Sequence, residues 1–255
     1  MTGDVNEWLF WAYVFIAGAS VGSFLNVVIY RLPMNLSVVR PASRCPECGS
    51  PVRWFDNIPV ISWFVLRGLC RDCGAIIPPR YMFVELFTAI LTMAVVQRYG
   101  LHIHTLLYLT MAWGLVAITF IDLDFQIIPD ELSVGGLVLG LAASFFLPLG
   151  LTGSLAGALV GGGLFFTVAA LYPGGMGGGD IKLMAAIGAF LGWKLALLTI
   201  ILGSAAGAVT GVGAIIFLGK GRKDRIPFGP FLALGALVSL LLGDIITEAY
   251  LTAVM

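Results

Sequence analysis

The sequence predicts an all-α polytopic membrane protein of about eight transmembrane helices with one metal-stapled loop. Three observations predict it. The 255 residues are 59% hydrophobic and only 11% charged, where a soluble domain carries about 25% charge. Mean hydropathy is +1.00. The apolar residues also fall into runs long enough to cross a hydrocarbon core, which takes about 20 residues. The net charge is zero, but its distribution along the chain is uneven.

The spans expected from the apolar runs are 8–30, 81–98, 105–121, 132–148, 154–172, 181–194, 196–218 and 229–250. Asp4 and Glu7 precede the first run and no basic residue does. It therefore lacks a signal peptide's basic n-region and reads as an uncleaved span. The run at 181–194 is short: 14 helical residues rise about 21 Å. The turn near Gly192-Trp193-Lys194 is the uncertain boundary.

Lys and Arg set the expected orientation. Arg31, Arg40, Arg44, Arg53, Arg67, Arg71 and Arg80 lie in the segment 31–80. Lys220, Arg222, Lys223 and Arg225 lie in 219–228. With eight spans these segments share one side with the turns 122–131 and 173–180, and Lys182 lies just inside that boundary. Twelve of the fourteen basic residues then fall on one side, leaving Arg98 and Lys194 opposite. That side is expected to be cytoplasmic, with both termini external and the bilayer as principal partner. The domain reading is a first span over 1–30, a cytoplasmic loop over 31–80 and a membrane domain over 81–255.

All four cysteines stand in that loop, as Cys45-Pro46-Glu47-Cys48 and Cys70-Arg71-Asp72-Cys73. Two CxxC pairs at this separation suit two knuckles delivering four thiolates to one tetrahedral zinc ion. Gly49 and Gly74 follow the second cysteines, where a knuckle turn favours positive φ. Two disulfides are the alternative, and a reducing cytoplasm disfavours them. A four-sulfur site is closed, so its zinc is expected to support folding rather than catalysis. The loop is too small to hold a large core alone.

The acidic residues supply the candidate catalytic site. Asp122 and Asp124 end the third run, and Asp180 follows Gly177-Gly178-Gly179. Carboxylates at a membrane boundary are functional candidates by default. A pair of them can share a proton and activate water. Asp122 and Asp124 stand about 200° apart on a helix, so only one can face Asp180. Asp122 at a helix C-terminus opposes the dipole, whereas Asp130 and Glu131 beside Pro129 make an ordinary helix start. Asp180 has the alternative of a plain N-cap. Its N-terminal position and the nearby Lys182 favour the anion there, with Asp122 as the acid, although the two roles can reverse. Elsewhere, Gly157 with Gly161, and Gly203, Gly207 and Gly211, have the spacing of close helix packing.

Taken in this order, these segments resemble the bacterial type IV prepilin peptidases, GxGD aspartic proteases of the inner membrane. The resemblance is carried by Ser23–Pro33, the tetracysteine loop, Arg80-Tyr81 with Val84-Glu85, Asp122 six residues before Ile128-Pro129-Asp130, and the glycine-flanked Asp180. It implies Asp122 and Asp180 as the catalytic pair. It also implies cleavage of the basic leader of prepilins or pseudopilins after a glycine, at the cytoplasmic face. N-methylation of the new terminus with S-adenosylmethionine is implied by the resemblance alone, since no nucleotide-binding motif stands in the chain. No nucleic-acid partner is expected. An intramembrane protease of the wider GxGD type, and a transporter using the aspartates as a proton relay, are the other readings. The long loop and the absence of midplane acids argue against them.

Overall fold

In the computed structural model, residues 2–172, 175–218 and 227–254 are described. The basic residues Lys220, Arg222, Lys223 and Arg225, and the first part of the 173–180 turn, lie outside them. The helices are α1 (Thr2–Arg31), α2 (Ile61–Val65), α3 (Arg80–Tyr99), α4 (Ile103–Phe125), α5 (Asp130–Ala143), α6 (Gly150–Leu171), α7 (Gly178–Leu218) and α8 (Gly229–Val254). Among the described residues six helices are long and apolar enough to cross a membrane. α5 is shorter, and α7 is two helices joined at Gly192, whose φ of 76° and ψ of 171° are not helical. The expectation of about eight apolar helices is met in this form. The break falls at Gly192 itself, ahead of Trp193 and Lys194, because that conformation favours glycine. The chain divides into two compact units, Met1–Leu101 and His102–Met255.

In the first unit α1 and α3 run antiparallel at very short range. A Cβ on Gly18 would lie 2.9 Å from the Ala89 Cα, and one on Gly22 would lie 2.7 Å from the Glu85 Cα. The two glycines are four residues apart, one turn along the same face, so the backbones can meet there. One turn further, the Asn26 amide donates to the Tyr81 carbonyl at 3.0 Å. The loop between these helices is anchored by Glu85, whose Oε2 accepts the Val60 N–H at 2.6 Å. Val60 sits at φ 64°, a costly conformation for a β-branched residue, and this bond helps to hold it.

In the second unit the contacts of α7 define the path of the chain. Its first half, 178–191, lies antiparallel to α6: Gly157 meets Gly188 backbone to backbone, and Gly162 meets Ala185. The Ser154 hydroxyl donates to the Ala189 carbonyl at 2.6 Å. α5 packs parallel to the same half, through Gly136 on Ala186 and Gly140 on Phe190. The second half, 193–218, lies antiparallel to α8, with Gly243 on Leu195, Gly235 on Thr199, Gly203 on Phe231 and Gly207 on Phe228. Thr199 also donates to the buried Ser239 hydroxyl at 3.1 Å. Because α8 starts beside Asp122, the second half returns toward the end where the first half began. Gly192 therefore reverses the chain. The C-termini of α4 and α6 and the N-termini of α5, α7 and α8 gather at one end of the unit.

Apolar side chains face outward along these helices, among them Val209, Phe217 and Phe166. The inside is filled by Val116, Ile121, Leu183, Ile187, Phe190 and Leu232. Lipid supplies no hydrophobic drive between helices, so glycine-mediated fit and interhelical hydrogen bonds hold the unit together. Gly188→Ala places a methyl group onto the Gly157 backbone and is expected to cost about 1–3 kcal/mol or more. Gly163→Ala meets nothing within 4 Å and is expected to be neutral or stabilising. Thermal unfolding of both variants in one detergent checks the contrast.

Candidate active site and cysteine cluster

The gathered helix ends carry the acidic residues. α4 continues past the expected end of its span to Phe125, and its terminus is closed by Gln126 in the left-handed conformation, whose N–H bonds the Asp122 carbonyl at 3.0 Å. Because the helix persists, Asp122 and Asp124 point apart. Asp122 is buried at 5% exposure, and Asp124 is exposed. The Asp122 Oδ2 accepts the backbone N–H of Gly229, the first residue of α8, at 2.9 Å. Asp122 thus opposes the dipole of its own helix but serves the N-terminus of another.

Asp180 lies in the first turn of α7. Its backbone N–H bonds the Gly177 carbonyl at 3.2 Å, and its side chain folds back so that a Cβ on Gly177 would meet Oδ2 at 3.1 Å. Asp122 in the last turn of α4 and Asp180 in the first turn of α7 thus stand at the same end of the second unit. Lys182 turns away to bond Asp130 at 2.7 Å. The support that its sequence position lends to an Asp180 anion is therefore weaker than expected.

Two glycines contribute: Gly229, which the reading of motifs did not single out, and Gly179 of the glycine run before Asp180. A Cβ on Gly229 would lie 2.7 Å from the Asp122 Oδ2, and one on Gly179 would lie 2.9 Å from the Ile128 Cβ. The first lets the α8 backbone reach the carboxylate. The second seats the glycine run of α7 under the Ile128-Pro129 turn. Gly229-Pro230 was the available signal, a helix start with proline in the first turn and no side chain to cover the glycine N–H.

The four cysteines form a separate cluster in the first unit. Their sulfur atoms all lie within 4.8 Å of one another, and Cys45 and Cys73 are 3.8 Å apart. Zinc–sulfur bonds of about 2.3 Å in a tetrahedron put the sulfurs about 3.8 Å apart, so the cluster fits such an ion. Both halves repeat one local design. The Gly49 N–H bonds the Cys45 carbonyl and the Cys45 N–H bonds the Ser50 carbonyl, each at 2.9 Å. The Gly74 and Cys70 N–H groups make the matching bonds to Cys70 and Ala75. Gly49 and Gly74 both have φ of 71°, as the knuckle spacing predicts. Arg71 grips Asp56 through two nitrogens and holds its carboxyl below the usual range.

The thiols differ in their surroundings. Hydrogen bonds from Ser50 lower Cys48 to about 7. Cys73 receives a backbone N–H from Ala75, yet burial and the other three thiols push it up to about 12. Four sulfurs this close cannot all be thiolates without a cation among them.

Comparison with known proteins agrees with the geometry. Residues 16–99 match the bacterial peptidase A24 N-terminal domain, and residues 109–212 match the type IV leader peptidase family. A prepilin leader peptidase/N-methyltransferase of Aeromonas hydrophila is 41% identical over 276 residues, covering 96% of this chain and 95% of that protein. The protein of the same name in Pseudomonas putida is 38% identical, covering 90% of this chain and 89% of its own length. That of Myxococcus xanthus is 42% identical, covering 84% of this chain and 65% of its own. No solved structure matches the chain significantly. Similarity at this level runs through both compact units, and the chain belongs to the type IV leader peptidase family.

Proposed function

We propose that this protein cleaves the basic leader from type IV prepilins or pseudopilins with Asp122 and Asp180 as an aspartate dyad. The observation that carries the reading is that α4 and α7 bring both carboxylates to one end of the second unit, in a chain similar to leader peptidases along its length. The pair holds one proton. The ionised carboxylate takes a proton from water, and the resulting hydroxide attacks the scissile carbonyl carbon. The protonated carboxyl donates a hydrogen bond to the carbonyl oxygen as negative charge develops there, and the proton taken from water passes to the leaving amine. The Gly229 N–H and the glycine run before Asp180 fix the two carboxylates before substrate arrives.

The positive-inside bias supports a cytoplasmic location for the dyad, in a bacterial inner membrane, with both termini external. The names of the relatives support N-methylation of the new terminus. S-adenosylmethionine is the donor that the family resemblance implies, and no residue is assigned to it here. Zinc on Cys45, Cys48, Cys70 and Cys73 would supply a closed structural crosslink. The residues around it would do the rest: Arg71 tied to Asp56, and Trp63 donating to the Ile77 carbonyl at 3.1 Å.

Three outcomes are expected. Asp122→Asn and Asp180→Asn each lower prepilin cleavage by about 10²–10⁴-fold or more without unfolding the protein, because asparagine cannot relay a proton. Asp124→Asn retains most activity. Rates with a purified precursor check this, and an active Asp122→Asn with a dead Asp124→Asn would reassign the dyad. Cysteines introduced near Gly100 and Gly150 react with an impermeant reagent outside intact cells, whereas one at Gly221, outside the described residues, does not. Purified protein carries about one zinc per chain by metal analysis. It releases the metal on acidification, since the ligands must be thiolates. Serine at Cys45 and Cys48 removes the metal and exposes 41–80 to protease, while cleavage falls less than in either aspartate variant.

A further inference from the structure

A groove of about 280 Å³ runs along the second unit between α4, α5 and the first half of α7. Its walls are apolar except for Thr110 and Glu131. Ile118, one turn before Asp122, and Leu183, three residues after Asp180, line it. The groove therefore starts about one helical turn from each carboxylate and leads away from them along the helices.

The glycines of this groove differ from most of the helix glycines around them. Gly140, Gly157, Gly161, Gly188, Gly203 and Gly235 are each required by a neighbour at close range. Gly114 and Gly135, on facing walls of the groove, have nothing within 4 Å of where a Cβ would stand, and Gly136 has only Ala186 at 3.5 Å. No packing among the described residues explains them. Bare backbone on both walls of an apolar groove admits the close approach of another helix. A lipid acyl chain needs no glycine to fit.

Charge points to the same occupant. Among the described residues Glu131 is the one charged group lining the groove, and it stands in the first turn of α5, at the end of the unit that carries Asp122 and Asp180. The neighbouring Asp130 is engaged with Lys182. A membrane-bound precursor cut at this end must present a polar basic segment to the aspartates while its apolar segment enters the bilayer alongside. Glu131 complements the first and the groove fits the second.

We propose that the groove between α4, α5 and the first half of α7 is a docking site for the apolar membrane helix of the precursor, with Glu131 facing its basic leader. The proposal rests on the leader-peptidase reading. The groove makes the apolar helix part of what is recognised, so affinity for the precursor depends on a surface remote from the scissile bond.

Gly114→Leu and Gly135→Leu project into the groove, where nothing stands within 4 Å of either added Cβ, and thermal unfolding in detergent checks that both variants fold. Gly163→Leu, on α6 and equally unobstructed, is the matched control. Two substrates are compared in mixed micelles: a full-length type IV prepilin, and a synthetic peptide with its leader and the first residues beyond the scissile bond but no apolar helix. The expected result for both groove variants is a KM for the prepilin raised at least tenfold at unchanged kcat, with peptide kinetics unaltered and the control like the parent. Glu131→Gln is expected to raise KM for both substrates, since both carry the leader. An unchanged prepilin KM in the groove variants overturns the docking site, and a change in co-purifying lipid alongside it identifies lipid as the occupant. Equal loss on both substrates also overturns it, showing damage to the catalytic end. A parent that cleaves neither substrate refutes the peptidase reading itself.

Discussion

Everything at the end of the second unit that carries Asp122 and Asp180 hangs on the direct backbone contact between Gly157 and Gly188. It fixes the first half of α7 against α6 at a distance no side chain could share. α5 lies along the same half-helix, and Gly192 returns the second half to build the seat for α8. Asp180 starts this helix and Asp122 is held by the start of α8. One close approach therefore sets both carboxylates, through two short chains of contact. In lipid this geometry must come from fit, because burial of apolar surface gives no preference for one helix arrangement over another.

The two units reach rigidity by different means. The second uses small residues within helices. In the first, α1 and α3 share that device at Gly18 and Gly22, but the long loop between them has little apolar core. Its order comes from paired knuckles, the Arg71–Asp56 ion pair and the Glu85 anchor on Val60. Four thiols gathered in one cluster make the loop's organisation a matter of charge as much as of packing.

Much of this was legible in the sequence for physical reasons. Apolar runs mark spans, CxxC spacing marks a tetrahedral ligand set, and the 200° offset of Asp122 from Asp124 predicts that they face different surroundings. Burial of Asp122 and exposure of Asp124 follow that offset. The long-range partners were not legible. Gly229 lies 107 residues from Asp122, and no local pattern announces that one helix's end will cap another's start. Lys182 was read by its nearness in sequence to Asp180, but i and i+2 positions on a helix face different directions, and it bonds Asp130 instead. Gly114 and Gly135 carry no spacing motif. They stand out only once the neighbours of the other glycines are known.

The bond from Gly229 to Asp122 has a consequence for the chemistry at that carboxylate. An oxygen that already accepts a backbone N–H is the less basic of its pair. With Oδ2 committed to α8, Oδ1 is the oxygen that the proposed dyad would use. The carboxylate is thereby two-sided, one oxygen belonging to the architecture and the other open to the proposed chemistry. A movement of the α8 N-terminus would turn the carboxylate without breaking any bond in α4, which couples the position of the last helix to the orientation of this acid.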